Sequence, residues 1–472
     1  MNDAPREELK QPRFEKNFTE FIGIRDDGHL GVEARDCVEL AETFGTPLYV
    51  VSENQFRHNY RQFRDAFVRH YPHVEVMYSN KAMNGPALRH VMNQEGAGGD
   101  CFGENELYIA LLAGRTPGSM VLNGSNKTPH EIEVAVLNGV CINIDAMGEL
   151  DLIDETARRL GRDADVGIRV KLELKPLGKR FATQMHGPGS LSDQARNHKW
   201  GMPLDQTLEL VKRIEAAPHL RFQELNYHLS RMDNITDDFV VMAREMVEWA
   251  AAVKRETGVS VPTLDLGGGW AQGRPEKTGP HGEDDVDTPS FEEYAKTVCT
   301  AVKDACGAHG LDLPGLKFEV GRSLIGSAVV ALGRVGATKE WPEYAKSWVN
   351  LDLSTNHLSP VAEGWHYHVV VANKANAHAA GPVDVVGPLC SPDNLAFDRP
   401  LPSMDAGDIV AFLDAGAYTE SRAANFNAQL RPAAVLVSGD DADVITEREQ
   451  LRDVMGRFRV PSRVLNLSFG RT

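Results

Sequence analysis

The sequence lacks any apolar run of the roughly 18 residues that a membrane-spanning helix requires. Its first twenty residues are polar and charged, with no apolar stretch of the secretory kind, so a cytoplasmic location is expected. Cysteine is scarce: Cys37, Cys101, Cys141, Cys299, Cys306 and Cys390 form no CxxC pair and no Cys/His cluster at zinc spacing. That excludes a disulfide framework, points to a reducing compartment and gives no metal site. Positive charge is in deficit, with 50 Lys and Arg against 67 Asp and Glu, a formal net charge of −17. Such a balance argues against nucleic acid and against anionic membrane. It suits small-molecule partners.

The remainder is ordinary globular composition, 42% hydrophobic and 25% charged. At 472 residues the chain is too long for one ordinary domain. Short β-prone runs occur at 74–80, 98–102, 119–124, 141–145, 165–172, 221–229, 261–269 and 315–323. Between them lie segments of helical spacing, including Glu104 to Leu112, Glu131 to Leu137, Glu149 to Leu160, Leu204 to Ala217 and Asp238 to Lys254. Alternating strand and helix runs predict βα units and a parallel sheet. Eight of them predict a (β/α)8 barrel, with active residues just past the strand ends. The stretches 176–199 and 274–289 read as long inserted loops. After about Ser327 the pattern changes to alternating runs (329–336, 366–372, 409–413) with little helical periodicity. This predicts a second, β-rich domain at 327–472, joined by residues 1–50, around a barrel at 51–326.

Polar residues cluster at the expected strand ends. Lys81 follows the first, Asp100 ends the second and Asn123 the third. His228 follows the sixth, Gly267-Gly268-Gly269 the seventh, and Glu319, Gly321 and Arg322 close the eighth. Each has an ordinary reading: a surface lysine, a buried histidine, a tight glycine turn, a structural ion pair. Taken together they match one cofactor. Pyridoxal phosphate needs a lysine for its aldehyde, a carboxylate for its ring nitrogen, backbone donors for its phosphate and a flat side chain against its ring.

With these residues in place the sequence resembles the alanine-racemase-fold (fold type III) pyridoxal-phosphate decarboxylases. That group includes diaminopimelate, ornithine and arginine decarboxylases and bacterial enzymes acting on D-ornithine and D-lysine. The carrying motifs run through nearly the whole chain: GTPLYVVSE (45–53), YSNKAM (78–83), GGDCFGENEL (98–107), LNGSNK (122–127), INIDAMGEL (142–150), KWGM (199–202), NYHL (226–229), DLGGG (265–269), FEVGRS (318–323), GPLC (387–390), FLDAGAYT (412–419) and FNAQLRP (426–432). The resemblance implies that Lys81 binds the cofactor aldehyde, His228 stacks on the ring and Glu319 pairs with the ring nitrogen. Asp100 belongs to the same cofactor set. Gly268, Gly269, Gly321 and Arg322 would surround the phosphate or the substrate carboxylate, and Tyr418 would bond the phosphate. Cys390 would come from the partner subunit of a homodimer with shared active sites and return a proton after CO2 leaves.

Three departures concern the substrate. His-x-Gly-Ser is here His228-Leu229-Ser230-Arg231, so Arg231 could bind phosphate or an acidic group. The acid usually beside the cysteine is replaced by Ser391, for which Asp393 could substitute. Glu-Pro-Gly-Arg is here Glu319-Val320-Gly321-Arg322. The expected activity is decarboxylation of diaminopimelate, a basic amino acid or a specialised derivative. The alternatives are an amino-acid racemase on the same fold and a non-catalytic pyridoxal-phosphate regulator. Glu319 argues against the racemase, and Lys81 with Cys390 against the regulator.

Overall fold

The structure, a computed structural model, describes residues 18–114, 119–179, 189–229, 234–271, 276–278, 284–286, 288–363 and 365–465. Eight strands close into a parallel barrel in chain order. They are β1 (Val74–Ser79), β2 (Gly98–Phe102), β3 (Met120–Asn123), β4 (Cys141–Ile144), β5 (Ala164–Arg169), β6 (Leu220–Asn226), β7 (Thr263–Asp265) and β8 (Gly315–Val320). Each coincides with one of the eight β-prone runs. Burial on both faces explains why these runs read as continuous apolar stretches.

Helices follow the first seven strands, from Pro86–Gln94 to Phe291–His309. The helix before β1, Glu53–His70, packs against Phe291–His309 and completes the outer ring. Helix starts carry the expected chemistry. Thr128 accepts from the Glu131 N–H while Glu131 accepts from the Thr128 N–H, a reciprocal cap at the start of Pro129–Asn138.

A nine-stranded sheet forms the second layer. Its long strand Val329–Trp341 pairs with Leu48–Ser52 and Ile409–Phe412 at one end and with Lys346–Leu351 at the other. The parallel partner of Leu48–Ser52 is Ala433–Ser438. The boundary expected between residues 50 and 51 therefore falls inside a strand. Alternation is plain here. Tyr49, Val51, Ala331 and Phe412 join the main core shared with the barrel, whereas Val50, Val330, Ala411 and Val435 face a second cluster. That second cluster is covered by a small sheet (Ile22–Ile24, Leu30–Val32, Arg35–Asp36) and the helix Cys37–Phe44.

The two stretches read as loops contain structure. Leu191–Asn197 is a helix capped by Ser190 and Asp193, and Glu276–Thr278 pairs antiparallel with Asp284–Val286. No helix among the described residues is long and apolar enough to cross a membrane.

Candidate active site

The residues singled out at the strand ends converge at the C-terminal mouth of the barrel. Lys81 lies in a turn (Asn80–Ala82) directly after β1. Its Nζ donates to Asp100 Oδ2 at 2.5 Å, and the Ser79 hydroxyl donates to the same oxygen at 2.6 Å. Asn123 donates from Nδ2 to Asp100 Oδ1 at 2.9 Å and to Glu319 Oε1 at 2.5 Å. Asn226 donates to that same glutamate oxygen at 3.3 Å. Lysine and glutamate, far apart in sequence, are thus joined through Asp100 and Asn123.

The charges follow from this packing. Burial disfavours the Lys81 ammonium, but the Asp100 carboxylate paired with it outweighs this and holds its pKa above the ordinary lysine range. Burial disfavours the Asp100 carboxylate too, but Lys81 and the hydrogen bonds from Ser79 and Asn123 keep it below the usual range. Glu319 goes the other way. Burial, then the nearby Asp100 and Asp265, push it well above the usual carboxylate range. With Oε1 taken by two amide donors, the proton belongs on Oε2.

Backbone geometry sets the opposite wall. Gly267 has φ +63° and Gly269 φ +94°, a conformation suited to glycine. A Cβ on Gly268 would lie 2.4 Å from the Glu319 carbonyl oxygen and 3.1 Å from His228 Cε1. The Gly268 N–H donates to His228 Nδ1 at 2.9 Å, so the imidazole is neutral with its proton on Nε2. The loop is anchored from behind by Trp270, whose indole N–H donates to the Gly267 carbonyl at 2.9 Å. Trp270 itself stacks on Phe239 at 4.0 Å.

The segment after Ile409–Phe412 roofs the lysine. The Tyr418 N–H donates to the Ala82 carbonyl at 2.8 Å, and the Ser421 hydroxyl donates to the Lys81 carbonyl at 2.9 Å. Tyr418 is held at φ +63°, unusual for a tyrosine and an instance of strain kept at a functional position. Its ring and that of Trp365 sandwich the Arg322 guanidinium, at 5.0 and 4.1 Å. These groups border a cavity of about 600 Å³ lined by Lys81, His228, Glu319, Arg322 and Tyr418.

The cavity also has walls that the sequence motifs did not point to: Phe102, Glu106, Arg169, Trp200, Pro360 and Arg422. Arg169, buried at the end of β5, lies over the Trp200 ring at 5.1 Å. Lys81 Nζ stands 5.1 Å from the Phe102 ring centre.

The substrate-reading expectations fare differently. Arg231 lies outside the described residues. Cys390 and Ser391 are exposed and do not line this cavity; the Cys390 N–H donates to Asn427 Oδ1 at 3.3 Å. Asp393 is buried, and its carboxylate ties the cysteine loop to Thr355. Oδ1 accepts from the Thr355 N–H at 2.8 Å and its hydroxyl at 2.7 Å, and Oδ2 accepts from the Leu389 N–H at 3.0 Å. These contacts brace the cysteine loop.

The donor set fits pyridoxal phosphate. A lysine amine and a buried carboxyl share one network beneath the cavity, with a neutral imidazole beside it. A close backbone approach is enforced at Gly268 and Gly321, where a Cβ would sit 3.1 Å from both Ala82 and Ser79. Arg322 Nε is buried with no hydrogen-bond partner among the described residues, a donor left for a ligand. Fold and site therefore define a barrel protein built to carry this cofactor.

Comparison with known proteins gives the family. Residues 53–326 match the model described as pyridoxal-dependent decarboxylase, pyridoxal binding domain. The diaminopimelate decarboxylase of Methanothermobacter thermautotrophicus is 32% identical over 450 residues, covering 94% of this chain and 99% of that one. That of Archaeoglobus fulgidus is 31% identical, covering 93% and 99%. The crystal structure of the M. jannaschii diaminopimelate decarboxylase in complex with L-lysine superposes with a TM-score of 0.84 at 29% identity, over 94% of this chain and 99% of that one. The chain belongs to the pyridoxal-dependent decarboxylase family. It is a pyridoxal-phosphate-dependent carboxy-lyase acting on an amino acid.

Proposed function

We propose that Lys81, Asp100, His228, Gly268, Gly269, Glu319, Gly321, Arg322 and Tyr418 hold the cofactor, and that the substrate is a long-chain amino acid of the diaminopimelate and lysine class. The observation that carries this reading is the Lys81–Asp100–Asn123–Glu319 network under one cavity. Bound there, pyridoxal phosphate supplies the electron sink for the pair left behind when CO2 departs. The other tasks fall to the chain's own groups. Lys81 would hold the cofactor through its aldehyde, with Asp100 beside it fixing the position of Nζ and favouring the charged form of that nitrogen. Glu319 presents the proton on Oε2 to the ring nitrogen and keeps that end of the site electron-withdrawing. The neutral His228 ring, fixed by the Gly268 N–H, offers a flat face. Arg322 and the backbone at Gly268, Gly269 and Gly321 take the phosphate, with the Tyr418 hydroxyl beside them.

The acid that returns the proton is the partner subunit's Cys390 in a homodimer with shared sites. The exposure of the Cys390–Ser391 loop, away from its own cavity, supports this. Six free cysteines support a reducing, cytoplasmic setting. The test is complementation. Lys81→Ala and Cys390→Ala are each inactive or strongly slowed, and refolding them together restores about a quarter of wild-type CO2 release, because mixed dimers carry one intact site. No recovery on mixing would refute the shared site.

A further inference from the structure

Arg322 differs from other well-packed arginines of the chain in what it does not touch. Arg57 spends its guanidinium on Glu53 and Glu95, at 2.8 Å each. Arg89, fully buried, donates to the carbonyls of Gly98 and Ala97 at 2.7 and 2.8 Å. Arg322 lines the cavity beside Lys81, yet among the described residues its side chain makes no hydrogen bond and no ion pair, and its Nε is buried. It is held by rings instead: the Trp365 ring centre lies 4.1 Å from Cζ and the Tyr418 ring centre 5.0 Å.

The two ways of holding a guanidinium have different consequences. A carboxylate neutralises it and occupies its N–H groups, which lie in the plane around its edge. An aromatic ring attracts the cation through its face and takes up no N–H. Rings on Arg322 therefore fix its position and leave its charge and its donors for an anion in the cavity. Tryptophan is the strongest of the aromatic partners. The Trp365 indole N–H has no hydrogen-bond partner among the described residues, so the ring face is what the site uses.

Both rings are tied to the turn that carries Lys81. The Tyr418 N–H donates to the Ala82 carbonyl at 2.8 Å. The Ser359 hydroxyl donates to the Tyr418 carbonyl at 3.1 Å, and the Trp365 N–H donates to the Pro360 carbonyl at 3.1 Å, which fastens the Trp365 segment to the same roof. Trp365 is buried and is not among the residues lining the cavity, so it acts on a ligand through Arg322.

We infer that Trp365 is a positioning residue: it clamps the Arg322 guanidinium against Tyr418 so that Arg322 binds the anionic group of a ligand, a phosphate or a carboxylate. The inference rests on the cofactor reading above, which assigns Arg322 to the phosphate.

The test titrates the cofactor-free protein with pyridoxal phosphate and with pyridoxal, which lacks the phosphate, and follows the visible absorption of the lysine-bound cofactor. Trp365→Leu should weaken pyridoxal phosphate by about 3- to 30-fold, the scale of one desolvated cation–ring contact, and leave pyridoxal unchanged. In an Arg322→Met background the same substitution should change neither. Fluorinated tryptophan at position 365 alone keeps the shape and the indole N–H but weakens the ring face. The loss should grow with fluorine content, and this arm serves if Trp365→Leu does not fold. Normal binding of pyridoxal phosphate, with half-saturation of the loaded protein by meso-diaminopimelate and L-lysine raised by a similar factor, would support the clamp and make the anion a carboxylate. Unchanged binding of all four compounds would overturn the inference. So would equal losses for pyridoxal phosphate and pyridoxal, the mark of a merely structural role, or a loss undiminished in the Arg322→Met background. Absence of the absorption in the wild type would instead defeat the cofactor reading itself.

Discussion

Removing the amine of Lys317 should destabilise the barrel far more than removing Lys317 and Glu224 together. Lys317 on β8 and Glu224 on β6 form an ion pair across β7, with side-chain exposures of 9% and 1%. Barrel interiors are ordinarily filled by branched apolar side chains. Here the filling is polar and tight: a Cβ on Gly167 would lie 2.6 Å from Glu224 Cγ and 1.9 Å from Asn143 Oδ1. Lys317→Met leaves the Glu224 carboxylate inside the barrel without its cation, at a cost of about 3–5 kcal/mol. Each kcal/mol lowers Tm by about 2–4 °C in a domain of about 150–250 residues and by less in a longer barrel such as this one. Lys317→Met with Glu224→Gln removes both charges and should recover most of the loss, since replacing a whole buried pair is often near neutral. The assay is thermal unfolding of the cofactor-free single and double variants, read as a double-mutant cycle. Additive losses, with the double variant the least stable, would refute the claim that the two side chains act as a pair.

Two further outcomes follow from the site. Gly268→Ala forces a methyl against the Glu319 carbonyl and the His228 ring, and should cost about 1–3 kcal/mol and weaken cofactor binding; unchanged Tm and affinity would mean the glycine approach is not needed. The third prediction concerns pH. Burial, then Glu224, raise Asp265 to about 7, against about 3.9 in an unfolded chain. Between those values the fold holds a proton that the unfolded chain has released. Stability therefore falls as pH rises through this window, by up to about 1.4 kcal/mol per unit, and is flat above it. Asp265→Asn should flatten this dependence and gain on the wild type at pH 8. Parallel unfolding midpoints from pH 4 to 8 would contradict it.

The barrel was legible because its strands are short apolar runs at regular spacing, and most of the candidate cofactor residues drew notice because they end or follow those strands; Tyr418 instead follows Ile409–Phe412 of the second sheet. Other features left weaker traces. The helix Leu191–Asn197 lies in a stretch that reads as loop, although Ser190 and Asp193 spell its cap. Arg169, Trp200, Glu106 and Arg422 come from separate segments, and only the closed barrel and its roof bring them to one cavity. The Lys317–Glu224 pair did leave a sign. Lys317 shares a strand face with Glu319, two positions apart in an otherwise apolar run, which marks inward polar positions; Glu224 and Asn226 share a face in the same way, in a strand that also carries Arg221 and Gln223. Asp393 could not be judged from spacing: its carboxylate is engaged by Thr355, 38 residues away in sequence.

The central claim is that Lys81 carries the cofactor. The direct measurement is borohydride reduction of the pyridoxal-phosphate-loaded protein, followed by mass-spectrometric mapping of the modified peptide. The account predicts the pyridoxyl label on Lys81, and none on that peptide in Lys81→Ala. A label on another lysine, with Lys81 unmodified, would contradict it.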